Sequence, residues 1–473
     1  MVERSSGFFD TVLDRTLNNL RNAWRDISDS ARNAIGRAPR PELAGEDGEL
    51  LREQMRNCLE GRGGEVSGRA RAADLGRTYL ALDQPGRLTF LRILAESFDI
   101  DRSEVAACCA RLVAADERER PGAERVLRRA LEPPRIKLLT QFNALPEGVK
   151  FLVDMRAELM GLSRDHPSLA GLELDLKSLL AGWFDIGFLE LRRITWEAPA
   201  ALLEKLIFYE AVHEIRGWTD LKNRLEADRR CFAFFHPRMR DEPLIFVEVA
   251  LVRGMSGSIE ALLDESAPLG NPTEADAAIF YSISNCQKGL AGISFGNFLI
   301  KRVVDSLRSD LPRLKIFATL SPIPGFGAWL DPHLADGEEG MLTPAERRSF
   351  DALPAAKGQG LRGILVEPGW HRDAETLRLL KQPMLRLCAH YLLEEKTATG
   401  RVRDPVAHFH LSNGARLERL NWAGDLSLKG IQQSAGMMIN YLYKLSEIEE
   451  NHEAYIENGR VSASSQVRSL LRS

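Results

Sequence analysis

Apolar residues along this chain keep two different rhythms. In the first part, Phe8, Phe9, Val12, Leu13, Leu17 and Leu20 recur at the spacing of one helix face, and the same spacing runs through Leu88–Phe98, Val105–Leu112 and Val149–Leu162. Pro121, Pro133, Pro134, Pro146 and Pro167 punctuate these helices, and the GRGGEVSGRAR string within Arg52–Arg71 reads as an exposed connection. Past Ile194-Thr195-Trp196 the rhythm changes. Short apolar runs at Cys231–Phe235, Leu244–Val252, Ala277–Ser284 and Leu314–Leu320 suit strands, and helical stretches alternate with them. The expectation is an α+β chain, with an all-α domain over residues 1–193 and an α/β domain over 194–473. A polar excursion from Leu330 to Gly360, carrying DGEEG and AERRSF, interrupts the second domain as an insertion or a lid.

The most informative stretch is Ala277–Phe326, which reads as strand, glycine-rich turn, helix, strand and a loop carrying Ser321. Helical spacing of Phe295, Phe298, Leu299, Val303 and Leu307 predicts the helix. Gly289, Gly292 and Gly296 precede it. Such a turn is either a plain tight connection or a cradle where backbone amides at a helix start meet an anion. Its spacing matches neither the dinucleotide fingerprint nor the lysine-containing phosphate loop, so those nucleotide sites lose support.

The second informative stretch is Asp404–Tyr443. Asp404 is a good N-cap, Pro405 fits the first helical turn and Asn413-Gly414 is a ready stop, so a short helix carries both His408 and His410. Two positions apart on a helix is roughly 200°. At most one of the two histidines faces a given site.

Composition narrows the function classes. The chain has 473 residues, 44% of them hydrophobic, enough for more than one core. A net charge of −4 gives no globally basic surface for nucleic acid, so an anionic ligand needs a local site. Six scattered cysteines lack any CxxC pairing, which suggests neither a zinc site nor a disulfide framework. Residues 1–33 lack the apolar core of a secretion signal, and no stretch is apolar for the length of a membrane span; a cytoplasmic location is expected.

The strings ITWEAPAALLEKLIFYEAVHEI, RRCFAFFHPRM, EPLIFVEVAL, AIFYSIS, GNFLIKRVV, TLSPIPGF, DPVAHFHLSNGA and LNWAGDLSLKGI, in this order, resemble the malonyl-CoA decarboxylase family. The resemblance spans Ile194–Tyr443, and AADLGRTYLAL in the helical half is similar too. It implies an oligomerising helical domain, a C-terminal domain of the GNAT acetyltransferase type, and conversion of malonyl-CoA to acetyl-CoA and carbon dioxide without metal or organic cofactor. By the same resemblance Ser321 of SPIPGF and His410 of FHL are catalytic. The CoA-binding loop falls on Ala291, Gly292, Ile293, Ser294, Phe295, Gly296 and Asn297, while Ser282 and Tyr443 line the site. Family members often carry an acidic residue where this chain has Ser294.

That chemistry asks little of a protein. Loss of carbon dioxide from a malonyl thioester leaves an enolate delocalised into the thioester carbonyl, so orientation, oxyanion stabilisation and one proton suffice. Ser321 would orient or activate the malonyl group. His410 would protonate the enolate, its ordinary pKa of about 6.5 letting it carry a proton near neutrality. Two rival classes share the features: an acyl-CoA-dependent N-acyltransferase, and a non-catalytic acyl-CoA-binding regulator built on the helical half.

Overall fold

Backbone contacts divide the chain into two units, and the computed structural model describes residues 24, 27, 39–60, 64–293, 299–335, 341–353 and 359–472. The first unit comprises residues 1–189 with two later excursions, 235–243 and 287–294; the second comprises the remainder. The apolar stripe from Phe8 to Leu20 lies outside the described residues.

The first unit is helical because its apolar residues recur every three to four positions and its helix starts are capped. Asp83 accepts from the Gly86 amide, and Asp101 accepts from Ser103 and Glu104. The helix Gly148–Leu162 is central, burying Val149, Phe151, Leu152, Val153, Met155 and Leu159. Around Phe151 the rings of Trp24, Tyr79 and Phe142 pack edge to face at 4.9 to 5.6 Å between centroids. The expected connection within Arg52–Arg71 is a correction: helices Asp47–Leu59 and Gly64–Ala81 occupy all of it except 60–63. Burial of Leu51, Met55, Cys58, Ala70, Ala72, Ala73 and Leu75 outweighs the helix penalty of its glycines.

The second unit is organised on an eight-stranded sheet: β1 Glu190–Ile194, β2 Arg229–Phe235, β3 Ile245–Val252, β4 Ala277–Asn285, β5 Ile316–Thr319, β6 Ser321–Pro322, β7 Arg416–Asn421 and β8 Met438–Leu442. Its order is β1-β2-β3-β4-β5-β8-β6, with β7 paired to β8. The β2–β3, β3–β4, β5–β8, β6–β8 and β7–β8 pairs are antiparallel. Only β4–β5 is parallel among the pairs with described register. A parallel pair requires a crossover, and the helix Leu299–Asp310 lies in it, burying Leu299, Ile300, Val303, Val304 and Leu307.

One further expectation changes in this unit. Ser321 is in a two-residue strand, not a loop: the Leu320 amide still bonds Phe280 of β4, and Ser321 then pairs with Ile439 of β8. Pairing with β4 ends here, while the pairing with β8 that begins at Ala318 continues. The described part of 330–360 is helical, with helices Phe326–Ala335, Pro344–Asp351 and Gly360–Val366 burying Leu330, Leu334, Phe350, Leu361 and Ile364. The DGEEG string lies outside the described residues.

Candidate active site

Residues Pro405–Ser412 form the helix that carries both histidines, and Asp404 caps it through amides of Val406 (3.0 Å) and Ala407 (2.9 Å). The second Asp404 oxygen accepts from the Gly325 amide at 3.0 Å, which ties the helix start to the SPIPGF segment. Gly414, at φ +79°, closes the helix in the left-handed region. His408 is exposed and its Nδ1 meets the Tyr455 hydroxyl at 2.7 Å. His410, on the other side, is buried.

His410 meets three partners. Its Nε2 is 3.2 Å from Ser321 Oγ, its Nδ1 is 2.7 Å from the Tyr443 hydroxyl, and the Tyr441 ring stacks on the imidazole at 4.4 Å. Ser321 Oγ also donates to Thr319 Oγ1 at 2.8 Å. All these residues are buried. Burial pushes the His410 pKa down to about 3, and it holds the Tyr443 phenol well above its ordinary value. This corrects the expectation of a histidine titrating near neutrality: burial removes the hydration that an imidazolium needs. His410 is neutral here, with one ring nitrogen a donor and the other an acceptor.

Two groups of expected site residues remain. Ser282, on β4, donates to both oxygens of Glu210 at 2.8 Å. Glu210 also accepts from Ser284 and from the amides of Val212 and His213. Ser282 is thus part of a carboxylate anchor that holds the segment after helix Ala200–Tyr209.

Of the glycine turn, Ala291, Gly292 and Ile293 are described and belong to the first unit; Ser294, Phe295, Gly296 and Asn297 lie outside the described residues. The described part is held by buried Arg156, which donates to the carbonyls of Gly289 (2.5 Å) and Ala291 (3.0 Å) and pairs with Glu173 at 2.7 Å. A side chain at Gly289 would run into the Val153 carbonyl, so glycine is required by close backbone approach. Gly292 takes φ +72°, and the Lys177 ammonium lies beside it.

The model of the malonyl-CoA decarboxylase C-terminal domain matches residues 187–473, and that of the N-terminal domain matches 98–184. The chain belongs to the malonyl-CoA decarboxylase family. The mitochondrial malonyl-CoA decarboxylase of Anser anser anser is 39% identical over 419 residues, covering 85% of this chain and 83% of the relative. That of Mus musculus is 38% identical over 406 residues, covering 81% and 82%. The crystal structure of malonyl-CoA decarboxylase from Rhodopseudomonas palustris is 44% identical with a TM-score of 0.81, covering 89% of this chain and 99% of that one. The Agrobacterium vitis structure is 43% identical with the same TM-score and coverage.

Residues missed by the sequence reading of this family member are Thr319, Tyr441, Arg156 and Glu210. Thr319 and Tyr441 each lie two positions before an expected site residue, Ser321 and Tyr443. Period two puts such pairs on one face of a strand, and this is the signal that would have found them. Arg156 carries no such signal, since it precedes Gly289 by 133 positions in sequence.

Proposed function

We propose that this chain decarboxylates malonyl-CoA to acetyl-CoA and carbon dioxide. Family membership supports the substrate, and the observation that carries the chemistry is the buried Ser321–His410 contact at 3.2 Å. The bond between the carboxyl carbon and the methylene breaks, its electrons enter the thioester carbonyl, and the enolate carbon takes one proton. The C–S bond is untouched. Ser321 orients the malonyl group through its hydroxyl. His410 delivers the proton: an anionic carboxylate entering the buried site favours the imidazolium that burial alone disfavours. Tyr443 fixes the ring through Nδ1. The turn at Ala291–Asn297 takes the CoA phosphates, with Gly292 and the Lys177 cation supporting that reading.

The test is incubation with malonyl-CoA and no acyl acceptor. Acetyl-CoA and carbon dioxide should appear in equal amounts. Binding without turnover, or turnover only when an amine is added, overturns the proposal in favour of a binding protein or an acyltransferase.

The helical part, residues 1–193, is proposed to mediate self-association. Helix Arg102–Ala114 buries only Cys108 and helix Arg120–Ala130 only Ala123, while Val113 and Leu131 are 86% and 49% exposed. Light scattering that returns the mass of a single chain at micromolar concentration would refute this. A cytoplasmic location is proposed on the six scattered cysteines, five of them buried, whose spacing sets up no disulfide framework and suits a reducing compartment. Among the described residues no helix is long and apolar enough to cross a membrane. Fractionation that finds the protein outside the cytoplasm would overturn the location.

A further inference from the structure

We propose that Thr319 is a positioning residue that sets the direction of the hydrogen-bond chain through Ser321 and His410, and so keeps Ser321 from acting as a nucleophile. The proposal rests on the reading of Ser321 and His410 as the reacting pair.

Thr319 ends β5 and is fully buried. Its Oγ1 receives the Tyr441 amide at 3.1 Å and the Ser321 hydroxyl at 2.8 Å. The Tyr441 amide takes one lone pair of that oxygen, and in the second contact Ser321 is the donor. Ser321 has a single hydroxyl proton, and Thr319 takes it. Ser321 Oγ therefore meets His410 Nε2 as an acceptor, which places the imidazole proton on Nε2 and leaves Nδ1 to accept from the Tyr443 hydroxyl. The chain runs one way: Tyr443 to His410, His410 to Ser321, Ser321 to Thr319.

An activated nucleophilic serine needs the opposite polarity, with the imidazole accepting the serine proton. Here the histidine donates and the serine oxygen is a held hydroxyl. That arrangement leaves Ser321 without a base to activate it, which fits direct loss of carbon dioxide with no acyl-serine. Thr319 is itself held firmly. Its carbonyl accepts from Asn440 Nδ2 at 2.7 Å, and Asn440 Oδ1 accepts from Arg419 Nε and Asn421 Nδ2, which orients the amide.

The test compares Thr319→Val, which keeps the shape and removes the acceptor, with Thr319→Ser, which restores it. Each is measured for kcat and KM on malonyl-CoA, for melting temperature, and for labelling of Ser321 by a fluorophosphonate followed by peptide mass mapping. Thr319→Val should lower kcat about 10- to 100-fold with KM within about twofold, in the range of one lost positioning contact. It should also raise Ser321 labelling at least about tenfold, because the freed hydroxyl turns to His410. Thr319→Ser should return both toward wild type. A purely structural threonine would change melting without raising serine reactivity. A folded Thr319→Val protein whose Ser321 stays as unreactive as in wild type overturns the proposal, as does a wild-type Ser321 that already labels at the variant's rate. Should Thr319→Val not fold, nitrogen NMR of histidine-labelled wild type decides, with His410 assigned by loss of its signals in His410→Gln. Protonated Nε2 supports the chain and protonated Nδ1 overturns it. Full activity in Ser321→Ala would instead remove the reading of the reacting pair, and the NMR result would stand apart from it.

Discussion

His408 and His410 stand two positions apart on one short helix, yet each brings its Nδ1 within 2.7 Å of a different tyrosine hydroxyl, Tyr455 for the first and Tyr443 for the second. The roughly 200° between them sends one ring to the surface and the other into the site. His410→Ala is expected to lower turnover about 10²- to 10⁴-fold, the range for a positioned general acid, and His408→Ala to be mild. Steady-state kinetics on both folded variants checks this. A severe His408→Ala beside an active His410→Ala would reverse the assignment.

The proposed role of Ser321 on the malonyl group places the effect of its loss in kcat. Ser321→Ala should lower kcat at least about tenfold, as for a contact realised mostly in the transition state, with CoA affinity nearly unchanged. A change confined to KM would contradict this. Mass mapping of quenched wild-type enzyme should find no acylated Ser321 peptide.

Arg156 acts on the glycine turn from within the helical unit. Arg156→Lys keeps the charge and loses the fork that spans the Gly289 and Ala291 carbonyls. With hydrogen bonds from charged groups contributing about 1.5 to 3 kcal/mol, KM for malonyl-CoA should rise about tenfold or more while kcat holds. Gly289→Ala should mimic it by pushing the turn off Val153. An unchanged KM in both folded variants would detach this turn from the substrate.

Acid should destabilise the protein in a particular window. Burial lowers the folded-state pKa of His410 to about 3 and of His213 to about 4, below the ordinary value near 6.5. Between those values the unfolded chain binds more protons, so stability falls as pH drops below about 6.5. Urea midpoints at about pH 7 and about pH 5 should differ more for wild type than for His410→Gln, which cannot charge. Equal losses would mean that His410 titrates normally in the fold.

Much of the architecture was written in local pattern. The helices over 84–97, 102–114 and 148–162 follow from their apolar spacing, and β2, β3, β4 and β5 from short apolar runs. Asp404, Pro405 and Gly414 specified the ends of the histidine helix by cap chemistry, which depends only on neighbouring residues. Local pattern misled at Arg52–Arg71, where glycines suggest a connection and burial of alanine and leucine makes helix. It also misled on the protonation of His410. An isolated imidazole has an ordinary pKa, and the shift arises from burial against Ser321 of β6 and the Tyr441 and Tyr443 side chains.

What the sequence by itself determined is therefore the set of elements, the domain character and, through FHL and SPIPGF, which serine and histidine to examine. Only the tertiary structure decided that Ser321 pairs with Ile439 of β8, that Thr319 accepts its hydrogen bond, and that Tyr441 and Tyr443 flank His410. Secondary structure is read from contacts three or four positions apart. The site joins residues 33 and 89 positions apart, and their pairing depends on sheet register and burial, which no local spacing encodes.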